Sequence, residues 1–216
     1  ALARSPRMGR LTALDLSGNP GGDRAQGLAE LEHAGRLRVL HLRALRLDDA
    51  DLAYLAQSPL LGRLAVLGLG HNGFGAAGVQ ALAESPRAAG LAALDLSFTG
   101  LGPPAAEALA APRCLPALAC LNLSRCRLGD EGVRALASSP FLGELTAIDL
   151  SMNGITDVGG RELARYRFPR RLATLDLIFN RIGERQRQAI RQRFGGRVCL
   201  FGLRELHDRG GGPWAE

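Results

Sequence analysis

Aspartate recurs in this chain at Asp15, Asp95, Asp149 and Asp176, each inside a short phrase of the type LDLS, IDLS or LDLI. If a repeat sets these phrases side by side, neighbouring carboxylates could share a cation or hold one proton between them, the chemistry of a metal site or an acid–base pair. Ser97, Ser124 and Ser151, two positions after Asp95, Asn122 and Asp149, would then be candidate nucleophiles. Both readings fail for want of partners. One carboxylate per phrase supplies fewer oxygens than a hard cation takes. The histidines His33, His41, His71 and His207 fall in a helix, a strand, a turn and a tail, so none is placed as a base beside a serine. No His/Cys group has zinc spacing. The reading is therefore a non-enzyme without metal or cofactor, in which the Asp phrase serves solubility and local hydrogen bonding.

The elements that position these residues follow from self-similarity. Phrases of the form LxxLxLxxNxL start at Leu11, Leu37, Leu64, Leu91, Leu118, Leu145 and Leu172, spaced by 26 residues once and then by 27 five times. In LTALDL or LATLDL the leucines alternate, which predicts a strand with one buried face. An Asn-containing turn follows: Asn19, Asn72, Asn153 and Asn180 share one position, with Thr99 and Cys126 as polar substitutes and Leu45 as an apolar one. The amide suits a place where backbone groups leave the strand unpaired. Stretches such as GDEGVRALASSP then predict a helix, with Leu28, Leu55, Leu82, Leu109, Leu136, Leu163 and Ile190 on its core side. Pro59, Pro86, Pro112, Pro140 and Pro169 end the helices. Asp48, Asp49, Asp130 and Glu131 open them, favouring the N-terminal dipole.

The phrases LTALDLSGN, LAVLGLGHNGF and LTAIDLSMNGI resemble leucine-rich repeats of the ribonuclease-inhibitor-like type, across about residues 1 to 200. The LAxSP helix endings and RFGGRV are similar to bacterial cytoplasmic arrays. The resemblance implies an α/β solenoid, a horseshoe with a parallel concave sheet of about eight strands and convex helices. At about 4.8 Å per strand the sheet would span roughly 34 Å. The expected organisation is the end of a truncated preceding repeat at 1–10 and seven repeats over 11–183. A capping helix and strand at 184–206 and a flexible tail at 207–216 complete it. Because ALARSPRMGR matches the tail of a unit helix, a preceding segment is expected. All 27 basic residues are Arg, the usage of a GC-rich bacterial genome. Cys114, Cys120, Cys126 and Cys199 lack CxxC spacing, which fits a reduced, cytoplasmic setting better than a disulfide framework.

The outward strand positions form columns. One reads Asp15, His41, Gly68, Asp95, Asn122, Asp149, Asp176; the next Ser17, Arg43, Gly70, Ser97, Ser124, Ser151, Ile178; a third Gly18, Ala44, His71, Phe98, Arg125, Met152, Phe179. Such folds present these columns to macromolecules. The expected partner surface is accordingly Asp15, His41, Arg43, Arg46, His71, Asp95, Phe98, Asn122, Arg125, Asp149, Met152, Asp176 and Phe179. The second copy, VLHLRALRL, departs from the rest. Its Arg43 would anchor an acidic group of the partner, or would be drift at an exposed position. Residues 161–197 hold eleven arginines against Glu162, Asp176 and Glu184. Arg161, Arg165, Arg167, Arg170, Arg171, Arg185, Arg187, Arg191 and Arg193 form a basic patch that could bind nucleic acid or an acidic partner. The composite reading is a non-catalytic protein-interaction scaffold. The alternatives are nucleic-acid binding through that patch, and regulation like that of leucine-rich-repeat GTPase activators, with Arg43, Arg46, Arg125 and Arg127 on the rims. If Arg43 is an exposed anchor, Arg43→Glu should weaken partner binding and leave the thermal midpoint nearly unchanged.

Overall fold

The computed structural model describes residues 9–19, 31, 35–111, 115–139, 145–165 and 171–200. Within them one parallel sheet runs in chain order through β1 (Ala13–Asp15), β2 (Val39–His41), β3 (Val66–Gly68), β4 (Ala93–Asp95), β5 (Cys120–Asn122), β6 (Ala147–Asp149), β7 (Thr174–Asp176) and β8 (Val198–Cys199). The helices are α1 (Asp49–Gln57), α2 (Ala76–Glu84), α3 (Gly102–Ala110), α4 (Gly129–Ser138), α5 (Asp157–Arg165) and α6 (Glu184–Phe194). The sequence reading of a leucine-rich solenoid with about eight strands is the architecture observed. The strands are only two or three residues long. Past them the ladder continues through single backbone bonds, such as Leu42 N–H to Gly68 C=O at 2.7 Å and His71 N–H to Ser97 C=O at 2.8 Å.

Register follows the repeat. Leu40, Leu67, Leu94, Leu121, Ile148 and Leu175 face one another across successive strands. All are buried, and with Leu52, Leu82, Leu109, Leu136, Leu163 and Ile190 of the helices they form one continuous core. No single repeat could enclose its own leucines, so each layer depends on the next. Pro59 and Pro86 follow the ends of α1 and α2, and Pro86 also starts a 3-10 turn at Pro86–Gly90. Leu28, Pro112, Pro140, Pro169, His33, Cys114, Arg167 and Arg170, most of 1–10 and the tail at 207–216 lie outside the described residues.

Two polar ladders hold the repeats in register. The Asn72 Oδ1 accepts from the Leu45 and Leu47 N–H groups (2.9 and 3.0 Å), while its Nδ2 donates to the Leu42 and Leu69 carbonyls (2.8 and 2.7 Å). Asn153 binds Cys126, Leu128 and Leu123 in the same way, and Asn180 binds Asn153, Ile155 and Leu150. The Asn of one repeat thus satisfies the turn of the repeat before it. This explains why Leu45 is tolerated: Asn72 supplies the acceptor for its turn. Cys126 occupies the Asn position with its thiol directed at the Leu96 carbonyl (3.1 Å).

The second ladder adds to the reading of the acidic helix starts, which do stand at or in the first turns of their own helices. Asp48 does cap its own helix, accepting from Ala50 and Asp51 N–H (both 3.0 Å). Asp49 and Asp130, in the first turns of α1 and α4, also cap the following helix. Asp49 accepts from Gly75 and Gly78 N–H (2.7 and 2.8 Å), and Asp130 from Thr156 and Gly159 N–H (2.8 and 2.9 Å). Stacking brings each helix N-terminus beside its neighbour's first turn, where orphan N–H groups attract a carboxylate. A methyl group at Gly78 would stand 2.7 Å from the Asp49 oxygen, so the close approach requires glycine. Asn72→Ala leaves buried groups of two repeats unpaired and should cost about 2–4 kcal/mol in urea unfolding, whereas Thr99→Ala, at the same repeat position with one side-chain bond to a backbone carbonyl, should cost less.

Candidate functional site

The concave face is built from side chains that turn back on their own backbone. The Oδ1 atoms of Asp15, Asp95, Asn122, Asp149 and Asp176 each accept from the N–H two residues ahead, at 2.8–3.0 Å. This is the local role expected of the Asp phrase. Among the described residues, no group of three or more His, Cys, Asp or Glu gathers as a metal would need. Burial pushes the Asp149 carboxyl above its ordinary range, with the charge of Asp95 adding to it. Burial also raises Asp176, to about 6, and Asp149 contributes. The Asp15 carboxyl is held below its usual value, chiefly by the Ser17 hydroxyl and amide.

The aberrant second repeat has a structural counterpart. Arg43 reaches across the third repeat to the fourth, with its Nε 3.2 Å from the Asp95 Oδ2 and its Nη2 3.4 Å from the Ser97 Oγ. The third repeat lets it pass because it carries glycine in both columns. A methyl at Gly68 would lie 2.5 Å from the His41 Nδ1, and one at Gly70 3.2 Å from the Arg43 Nε. HLR and GLG are therefore complementary halves of one arrangement. It leaves Asp95 only 1% exposed and Arg43 36% exposed. Arg43 is not the open anchor that sequence position suggests, because its guanidinium already holds a carboxylate of the same chain.

The third column lies where the strands turn outward, and its backbone is left-handed throughout. The φ angle is 73° at Gly18, 55° at Ala44, 59° at His71 and Phe98, 55° at Arg125, 54° at Met152 and 57° at Phe179. This conformation disfavours side chains by on the order of 1 kcal/mol each. It is held because each N–H in the column up to Met152 bonds a carbonyl of the next repeat, as Phe98 does to Ser124 (2.9 Å). His71 stacks on Phe98 with ring centroids 4.0 Å apart and planes at 18°, and the Arg125 guanidinium carbon sits 4.9 Å from the centre of the Phe98 ring. With Met152, Thr99, Gly100 and Arg127, they line a shallow open hollow of about 590 Å³.

The structure therefore joins His71, Phe98, Arg125 and Met152 on one rim, while Phe179 stands exposed further along it and Arg46 on the rim of the second repeat. Asp15, His41, Asp95, Asn122, Asp149 and Asp176 line the concave floor. Sequence reading set Arg127 on a rim without placing it in the binding surface. The available signal was the column Arg46, Gly73, Gly100, Arg127, Gly154, Arg181, where arginine stands among glycines. In the basic patch, Arg191 pairs with Glu184 (3.2 Å) and Arg193 lies over Phe194 (5.5 Å). Arg161 donates to the Asp157 carbonyl (3.3 Å). Arg165, Arg171, Arg185 and Arg187 complete the described part of that patch.

Comparison with known proteins agrees with this geometry. The family described as Leucine Rich repeat matches residues 64–83, 91–110, 117–137 and 145–164. The chain is a leucine-rich repeat protein. Leucine-rich repeat chains are generally interaction scaffolds that present a rigid curved surface. Among solved structures, an internalin of Listeria monocytogenes is similar at TM-score 0.57 and 19% identity, over 89% of this chain and 48% of that one. A Bacteroides fragilis protein is similar at TM-score 0.57 and 15% identity, over 92% and 66%. TLR13, in a TLR13–ssRNA13 complex, is similar at TM-score 0.55 and 17% identity, over 90% and 31%. The chain thus spans about half of the internalin and a third of TLR13, and these likenesses show the fold. No curated protein sequence matches the chain. Among the described residues no helix is long and apolar enough to cross a membrane.

Two outcomes follow from the leucine-rich repeat face. Arg43→Glu removes the counter-ion of the buried Asp95 and adds a second carboxylate, so it should cost about 2 kcal/mol in urea unfolding, most of it restored by adding Asp95→Asn. The pH dependence has a fixed sign. A carboxyl whose folded pKa lies above its unfolded value of 3.8 destabilises the folded chain when ionised. The thermal midpoint should therefore rise as pH falls from about 7 through 6 toward 4. Asp176→Asn, which can accept from the Ile178 N–H as Asn122 does from Ser124, should flatten that rise.

Proposed function

We propose that this leucine-rich repeat protein is a non-catalytic scaffold that binds a macromolecular partner along the concave face and its rim. The observation that carries this reading is the rim itself. A ring stack, a guanidinium and an exposed Met are fixed side by side on a rigid sheet, in a backbone conformation that glycine would fill at lower cost. Strain of this kind is kept where a surface must present particular side chains. Aromatic, Met and Arg side chains are also the types enriched in protein contacts. The sheet offers a broad surface with shallow relief and no gathered acid, base and nucleophile among the described residues, which suits recognition.

A cytoplasmic setting fits the use made of Cys126. Burial pushes its thiol up to about 11, so it stays protonated and serves as a hydrogen-bond donor where other repeats use Asn. In a pull-down from cells of the source organism, this chain as bait should retain a discrete protein after nuclease treatment. Met152→Asp should lose that protein without lowering the thermal midpoint by more than a few degrees. Recovery that disappears with nuclease would reassign the function to nucleic acid and to the arginines around α6.

A further inference from the structure

The hollow on the rim has a composition that defines what it accepts. Arg125 and Arg127 are both exposed, and among the described residues neither has a carboxylate within ion-pair distance. Both are left-handed, with φ of 55° and 56°, two residues apart on either side of the buried Cys126. Arg127 is the more telling. In the repeats before and after it, the same position is Gly100 at φ 65° and Gly154 at φ 72°. Three successive repeats thus place a left-handed residue there, glycine adopts that conformation at low cost in the two flanking copies, and the fifth repeat carries arginine in spite of the strain. Apolar surface adjoins both guanidiniums: Met152 is 38% exposed and Phe98 39%.

We infer that this hollow docks an acidic segment of a protein partner, with carboxylates received by Arg125 and Arg127 and a neighbouring apolar side chain resting on Met152. The inference rests on the rim being the contact surface and specifies the partner's chemistry there. Two exposed guanidiniums without an internal counter-charge complement carboxylates, which they bind through paired N–H donors. The concave floor sets the path of the segment. Asp149 and Asp176 lie on that floor and would repel acidic side chains laid across the sheet, so the segment runs along the rim, outside the Asp column. Nucleic acid fits less well. His71 stacks on Phe98 and the Arg125 guanidinium lies over the same ring, so a base would have to compete with both for a stacking face.

The test uses fluorescence anisotropy with three labelled probes: a peptide of alternating Glu and Leu flanked by Asp, its Gln/Asn twin, and a single-stranded thymidine oligonucleotide of equal length. The acidic peptide should bind at least about ten-fold more tightly than its twin. Arg127→Gly should weaken the acidic peptide by about ten-fold while the thermal midpoint stays level or rises, since glycine relieves the strain at φ 56°. Equal binding of peptide and twin, both abolished by Met152→Asp, would overturn the acidic specificity and leave the rim as the contact surface. No binding of either peptide, unaltered binding by Arg127→Gly, or tighter binding of the oligonucleotide would each overturn the inference.

Discussion

The constraint on which the structure depends is the need to pair backbone groups where each short strand turns toward its helix. The strands end after two or three residues, and the N–H and C=O groups beyond them are already inside the core. Unpaired there, each would cost on the order of 1–3 kcal/mol. The Asn of the following repeat closes this gap by accepting two N–H groups and donating to a carbonyl of the same turn. Because the bonds run between copies, they also fix where the Asn stands relative to its strand. An amide displaced by one residue from that position would be out of reach of its neighbour's turn, whereas the 26-residue first unit keeps the common strand register.

That dependence between neighbours explains the irregular copies. Leu45 can replace Asn because the acceptor for its own turn comes from Asn72. What its repeat gives up is the ability to serve the turn before it. Arg43 departs from the Ser of other copies because Gly68 and Gly70 vacate the next strand, and the guanidinium then covers Asp95 two strands away. Departures from the consensus come in compensating sets, and a set is visible only when two or three copies are considered together. The same holds for the helices. Asp49 and Asp130 serve the N-termini of following helices, and Gly78 and Gly159 are small because a carboxylate oxygen occupies the place of a methyl group.

The concave floor and the rim divide the electrostatic work. On the floor, Asp149 and Asp176 lie on adjacent strands, half-buried; burial raises the proton affinity of both, with Asp95 adding to it at Asp149 and Asp149 at Asp176, so the floor loses negative charge as pH falls toward 6. On the rim, Arg125 and Arg127 present two exposed guanidiniums. A partner that approaches the rim therefore meets positive groups beside a floor whose negative charge varies with pH. The leucine-rich repeat scaffold contributes rigidity to both, since every residue of the third column up to Met152 is fixed by a bond from its own N–H to the next repeat.

The repeat period, the alternating leucines and the Asn position determined the fold from the sequence alone. A 27-residue recurrence of core and turn residues admits one stacking register, and that register places every column correctly. It also lined up His71, Phe98, Arg125, Met152 and Phe179 before any coordinates were considered. What the period could not determine is the direction and reach of long side chains. Arg43 spans two strands to Asp95 and Arg125 folds back over Phe98, while Arg127 stays open. Those outcomes depend on backbone angles at single residues and on which neighbouring positions lack a Cβ. Linear spacing places two residues in adjacent repeats, but only the packed structure decides whether their side chains meet.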